Sequence, residues 1–204
     1  MKGLLVLASH LFGIGVIGQG SAPPPLPLDS CEAFWARMDA KFEDSLRSPL
    51  KQEDRSRFQQ LDRYPCDATF VVEARFKPIK NGKEFAMPTT TDRLPIYRPV
   101  GRVSFKVNGR KCSLTVFQNH DLVEKLGFEN YLFLPFTDPT NAFETYGGGR
   151  YIDLLGPLGP TLWIDLNRAY NPSCAYNERY SCPIPPRENH LDTPIKAGVR
   201  KYHD

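Results

Sequence analysis

The sequence predicts a mainly β (α+β) domain: an antiparallel curled sheet or barrel-like sandwich with two N-terminal helices packed outside it. Three observations predict this. Helical periodicity is confined to the first third of the chain, before residue 62. Beyond it, short runs alternate with period two or are continuously apolar, and turn residues separate them. No strand–helix–strand alternation appears, which excludes a doubly wound parallel sheet.

The chain opens M-K-G-L-L-V-L-A-S-H-L-F-G-I-G-V-I-G-Q-G-S-A. One lysine, an apolar run and small residues at Gly18, Gly20 and Ala22 make the pattern of a cleaved signal peptide over residues 1–22. The apolar run is shorter than the ~20 residues of a spanning helix. The expectation is therefore a periplasmic or secreted protein with no membrane span after cleavage. Residues 23–29 hold four prolines and read as a stiff linker. A single domain is expected over 30–204.

Asp29 or Ser30 caps a first helix, and Phe34, Met38 and Phe42 form its apolar stripe, with Trp35 and Leu46 beside them. Ser48-Pro49 opens a second helix that carries Lys51 to Arg55 on a polar face and ends near Phe58 or Leu61. Strand alternation starts at Phe70, Val72, Ala74 and Phe76 and stops at Pro78. Short strands are expected at 84–87 and 94–97.

The sharpest local expectation is a hairpin over 102–117. Asn108-Gly109 suits a two-residue turn in which both positions take positive φ. That register sets Val107 opposite Arg110, Phe105 opposite Cys112 and Val103 opposite Leu114, so Cys112 points inward as a buried free thiol. Further strands are expected at 131–136, 151–154, 161–166 and 193–197.

Charge excludes some partners. The 26 basic and 23 acidic residues are interleaved and leave a net charge of +3. No basic run or aromatic-basic platform suggests nucleic acid. No cofactor motif is present, and the glycines at 147–149 match neither a dinucleotide fingerprint nor a phosphate loop.

Five cysteines stand at 31, 66, 112, 174 and 182. With Cys112 buried in the hairpin, Cys174 and Cys182 are the expected disulfide, closing a short loop. Cys31 and Cys66 bracket the two helices and offer a weaker pairing. A metal site on Cys174, Cys182 and His190 lacks a fourth ligand, so no metal is expected.

Chemistry-bearing residues concentrate over 144–191. Tyr146, Gly147, Gly148, Gly149, Arg150 and Tyr151 can form a nest of backbone N–H groups beside a guanidinium, which suits a small anionic ligand. Asn167, Arg168, Tyr170 and Asn171 follow a strand, and Glu188 and Asn189 follow a proline-stiffened segment. The same residues equally suit a self-satisfied polar network that locks loops together. An enzyme reading uses Cys174 or Cys182, or the carboxylates Glu144, Asp153, Asp165 and Glu188, as nucleophile or acid–base groups. A third reading is a structural envelope protein with no ligand.

The segments F-L-P-F-T-D-P-T-N-A-F-E-T-Y-G-G-G-R-Y-I-D-L (133–154), I-D-L-N-R-A-Y-N-P-S-C-A-Y (164–176) and S-C-P-I-P-P-R-E-N-H-L (181–191) resemble DUF1684, a bacterial and archaeal family of unknown function. The stretch 48–65 resembles that family's entry segment. The resemblance implies one domain with this stretch as its common core, and it transfers no catalytic role.

Overall fold

The computed structural model describes residues 28–202. The expected signal peptide and most of the linker lie outside them. The first helix, α1 (Leu28–Glu43), already includes Leu28 and Asp29, so those two residues belong to the domain. Among the described residues no helix is long and apolar enough to cross a membrane.

Seven strands form one curled antiparallel sheet: β1 (Val71–Pro78), β2 (Phe85–Ala86), β3 (Ile96–Val107), β4 (Arg110–Asn119), β5 (Tyr131–Phe136), β6 (Arg150–Leu155) and β7 (Thr161–Asp165). The order is β6-β5-β4-β3-β1-β7, with β2 added on β3. Two further single turns are α2 (Gln52–Arg55) and α3 (His120–Val123).

The hairpin forms in the expected register, with Val107 opposite Arg110, Phe105 opposite Cys112 and Val103 opposite Leu114. Asn108 and Gly109 take φ of 50° and 75°, the pair of positive values that a type I′ turn requires. The strands expected at 94–97 and from 102 are one strand, β3. Pro99 cannot donate to a ladder, and the register shifts between Pro99 and Gly101, so a bulge carries the strand past it.

Alternation sorts the side chains to two faces. Val72, Ala74, Val103, Phe105, Leu114, Val116, Leu134, Phe136, Ile152 and Ile164 fill the concave core. Met87, Tyr97, Phe117, Phe133 and Tyr151 pack on the opposite face. The sheet is therefore apolar on both faces where it is covered, which explains the near-continuous apolar run of β5.

Helix α1 packs outside, through Cys31, Trp35 and Phe42 against Leu50, Leu61, Tyr176 and Val199. Trp35 donates from its indole nitrogen to the Asn167 carbonyl at 2.9 Å, which fixes the helix to the chain leaving β7. Leu46, expected on the stripe, lies past the helix end and is exposed. The second helix is shorter than expected. After one turn the chain extends and runs back along α1, where the Asp39 carboxylate accepts the Leu61 N–H at 2.9 Å and pairs with Arg63 at 3.0 Å.

The strand expected at 193–197 does not form. Ile195 and Ala197 are buried, but their carbonyls accept from the Arg150 guanidinium, and the Ile195 N–H donates to Asp138. Side chains thus take the backbone groups that a neighbouring strand would have used.

The cysteines pair differently from the sequence expectation. Cys31 and Cys66 form the disulfide, with Cα atoms 6.3 Å apart. Cys174 and Cys182 are free thiols, as is buried Cys112. The short Ser173–Ala175 helical turn aims the Cys174 amide at the Cys182 sulfur, 3.2 Å away, so the two residues meet without bonding.

Candidate functional site

The sequence-expected site resolves into several separate places. Arg150 opens β6 and is fully buried. Its guanidinium donates to Asp138 Oδ2 at 2.7 Å, to the Ile195 carbonyl at 2.8 Å, to Thr140 at 3.4 Å and to the Ala197 carbonyl. It also lies 5.3 Å from the Phe136 ring centroid. Burial draws its pKa down, and the Asp138 carboxylate opposes that shift. Asp138 in turn accepts the Thr140 and Ile195 amides. Arg150 is thus enclosed in a polar network, its terminal nitrogens donating to internal acceptors and its Nε buried without a partner among the described residues.

The glycines beside it have unequal roles. Gly149 takes φ of 88°, and a Cβ there would stand 2.6 Å from the Phe136 carbonyl and 2.8 Å from the Pro185 ring. At Gly147 the nearest neighbour would be an ordinary 3.6 Å away. Gly149→Ala is therefore expected to cost about 1–3 kcal/mol, and Gly147→Ala well under half of that. Urea midpoints of the two variants check this; equal costs would contradict it. Gly149 serves the close approach of the 183–186 segment, and its N–H is taken by the Tyr146 carbonyl at 3.1 Å.

Asn189 and Asn167 are clamps. Asn189 accepts the Thr115 amide at 2.8 Å and donates to the Thr115 and Pro135 carbonyls. Asn167 brackets Asp67, accepting its N–H at 3.0 Å and donating to its carbonyl at 2.8 Å. Asn171 donates to the Arg200 carbonyl at 3.0 Å. Arg168 is exposed and stacks over Phe34 at 4.6 Å. Glu188 is exposed on the Arg187–Asn189 turn.

The expected catalytic carboxylates are not brought together either. Glu144 joins Tyr64 and Lys196, each at 2.9 Å, and those two hydrogen bonds hold its pKa down. Asp165 caps the turn at Asn167. Asp153 accepts from the Tyr131 and Tyr170 hydroxyls at 2.7 and 2.6 Å. Burial, and then the Asp153 charge, push the Tyr131 phenol far above its ordinary range. His190 contacts Thr137 and Asp192, away from the two cysteines. Among the described residues no group of three His, Cys, Asp or Glu side chains could hold a metal ion.

Two of the chain's open depressions bear on ligand binding. Strand β6 is bridged to the segment that follows β7: Tyr151 and Tyr170 exchange both backbone hydrogen bonds at 2.9 and 3.0 Å. Beyond it the edges part and leave a cleft of about 630 Å³ lined by Phe128, Tyr131, Asp153, Leu155, Trp163 and Arg168. One cation and one anion line it, and Arg168 is already stacked.

The larger depression, about 850 Å³, lies where the sheet forks. Strand β1 pairs with β3 only from Arg75 onward, and its first half, from Val71, pairs with β7 instead. The tip of the β3–β4 hairpin is thus freed from β1. Val72, Phe105 and Cys112 floor the gap; Glu73, Arg75, Ser104, Lys106, Lys111 and Ser113 line its rim. Burial raises the Cys112 thiol pKa, so the floor stays neutral. Among the described residues Arg75, Lys106 and Lys111 are in no ion pair, and Glu73 is the one carboxylate on the rim with them. Lys106 and Lys111 stand directly opposite each other in the ladder. Sequence reasoning reached the hairpin but missed this site. The signal was present in the register itself, which sets two lysines face to face.

A family model described as "Protein of unknown function (DUF1684)" matches residues 56–200. That span covers well over half of the chain, the whole sheet included. The protein belongs to the DUF1684 family. It is also similar to the solution NMR structure of an uncharacterised protein from gene locus rrnAC0354 of Haloarcula marismortui. The two share 32% identity over 84% of this chain and 92% of that one, with a TM-score of 0.66. None of the curated proteins matches the chain. Within the matched span Arg150, Asn167 and Asn189 direct their side-chain hydrogen bonds to groups of the fold itself.

Proposed function

We propose that this DUF1684 protein is an exported binding module that takes a small anionic ligand with an apolar body at the fork between β1 and β3. The observation that carries this reading is the charge arrangement of the rim. Like charges directly opposite in an antiparallel pair destabilise it, yet Lys106 faces Lys111, and the rim sets three cations, Arg75 among them, against the single carboxylate of Glu73. A carboxylate or phosphate held between the two ammonium groups removes that repulsion, and Val72, Phe105 and Cys112 receive the apolar part. Pockets with apolar floors and a few convergent polar groups are the usual form of small-ligand sites. The Cys31–Cys66 disulfide supports an oxidising compartment and so the export reading.

Thermal-shift titration tests the site with an aromatic carboxylate, a medium-chain fatty acid and inorganic phosphate. The amphipathic anions are expected to raise Tm, and raised ionic strength is expected to weaken the effect. Lys111→Glu makes an opposite-charge pair with Lys106. It is expected to stabilise the unliganded protein by about 0.2–1 kcal/mol and to abolish the ligand-induced shift. A Lys111→Glu variant that shifts as the parent does would refute the site.

A further inference from the structure

The pair Cys174 and Cys182 lies apart from the fork and has a chemistry of its own. Cys174 is half-exposed and Cys182 is buried. The Cys174 amide donates to the Cys182 sulfur at 3.2 Å, which brings the two residues into contact. The Tyr146 hydroxyl stands 3.7 Å from the Cys174 sulfur. Cys182 is held from behind: its N–H donates to Thr90 Oγ1 at 3.2 Å, and its carbonyl accepts the Thr90 N–H at 2.9 Å. One sulfur is thus reachable and beside a phenol hydroxyl, while the other sits beneath it on a segment fixed to residues 88–90. The remaining free thiol, Cys112, lies in the concave core with no second cysteine beside it.

We propose that Cys174 and Cys182 form a redox-active dithiol that reduces low-molecular-weight disulfides, with Cys174 as the attacking thiolate and Cys182 as the resolving thiol. The attacking group must be a thiolate with access to solvent, and the resolving group must reach the mixed disulfide. In the first step the Cys174 thiolate attacks one sulfur of the disulfide RS–SR. The Cys174–SR bond forms, the RS–SR bond breaks, and RS⁻ leaves. In the second, Cys182 gives its proton to the departed RS⁻ and its sulfur attacks Cys174 Sγ. The Cys174–Cys182 bond forms and the second RS⁻ leaves. The protein loses two electrons, and the small disulfide gains them as one thiol and one thiolate, the latter taking its proton from water.

The donors around Cys174 favour the charged form. The Cys182 thiol contributes most, burial opposes it, and Tyr146 and Thr90 add to it, so the Cys174 pKa falls well below its ordinary value. The same interaction keeps the proton on Cys182 and raises its pKa. The two cysteines are thereby given different roles before any substrate arrives.

The test uses the full chain and oxidised glutathione at pH 7, followed by acid quench, alkylation and peptide mapping. In the wild type a Cys174–Cys182 disulfide is expected, reversed by excess reduced glutathione, with Cys112 unmodified. Cys182→Ser is expected to accumulate a glutathione adduct on Cys174, and Cys174→Ser to take up none. The rate of Cys174 alkylation by iodoacetamide in the wild type is expected to have reached its plateau by pH 7. The proposal is overturned if the wild type gains no 174–182 bond, or if Cys174 alkylation rises only through the ordinary thiol range near ~8.5. Both of those readings need no variant, so a misfolded Cys182→Ser protein does not protect the idea.

Discussion

Arg150→Met is expected to remove about 3–5 kcal/mol of folding stability, the range for breaking one side of a buried ion pair. The reason lies in what remains. Asp138 is as fully buried as Arg150, so deleting the guanidinium leaves an unpaired carboxylate in the core. The carbonyls of Ile195 and Ala197 lose their donors in the same step. Those carbonyls belong to the segment that failed to become a strand, so the C-terminal strap over the concave core should loosen with the mutation. Chemical denaturation gives the energy, and hydrogen exchange at residues 191–199 gives the location. Arg168→Met is the control: its guanidinium is exposed and stacked on Phe34, and its loss is expected to cost under about 1 kcal/mol. A second variant sharpens the claim. Asp138→Asn alone should also destabilise, and the double variant should fall short of the summed single costs, because the two residues act as one unit. Additive costs would show that Arg150 and Asp138 are not coupled.

The same residues mark what a sequence can and cannot display. The hairpin was legible down to its register because Asn108-Gly109 and strict alternation are local signals. Strand β1 was legible for the same reason, as was β5 from its continuous apolar run. The run at 193–197 reads as a further short strand in sequence, with Ile195 and Ala197 on either side of Lys196. Whether it pairs with a strand or with a guanidinium depends on Arg150, about forty-five residues away, and no periodicity reports that. At the candidate site the residue types around Arg150 were read, and the choice between pocket and network was left open. Burial bears on it, because the two terminal nitrogens of the guanidinium already donate to four internal acceptors, with Nε buried and unpartnered. The fork carries the opposite lesson. Alternation turns Lys106 and Lys111 away from the face of Phe105 and Cys112, and solvated hairpin lysines are ordinary. Only the divergence of β1 from β3 turns them into the rim of a cavity.

Removing the Cys31–Cys66 disulfide, with Cys31→Ala and Cys66→Ala together, is expected to cost roughly 2–5 kcal/mol and to release α1 first. The bond spans 35 residues of sequence, so it restricts a long loop of the unfolded chain. It also closes the least sheet-like part of the molecule. Eight residues of helix between Asp39 and Cys31 rise about 12 Å. From Leu61, hydrogen-bonded to Asp39, the extended chain needs only the five steps to Cys66 to cover that length at ~3.3 Å each. Arg63 lies over the Trp35 ring on the way, 5.6 Å from its centroid. Helix and return strand are thus laid side by side, and the disulfide fastens their far ends. This geometry also explains why loop length favoured the wrong pair: the 174–182 loop is shorter, but only the 31–66 pair joins two segments already held in register. Beneath them Trp35, Phe42, Leu61 and Tyr176 form a small core of their own, separate from the concave one. Without the bond that small core must hold α1 unaided. Hydrogen exchange should then show faster opening of α1 amides, with β3 and β4 little changed at low denaturant. Uniform acceleration across helix and sheet would instead mean that α1 and the sheet unfold as one unit.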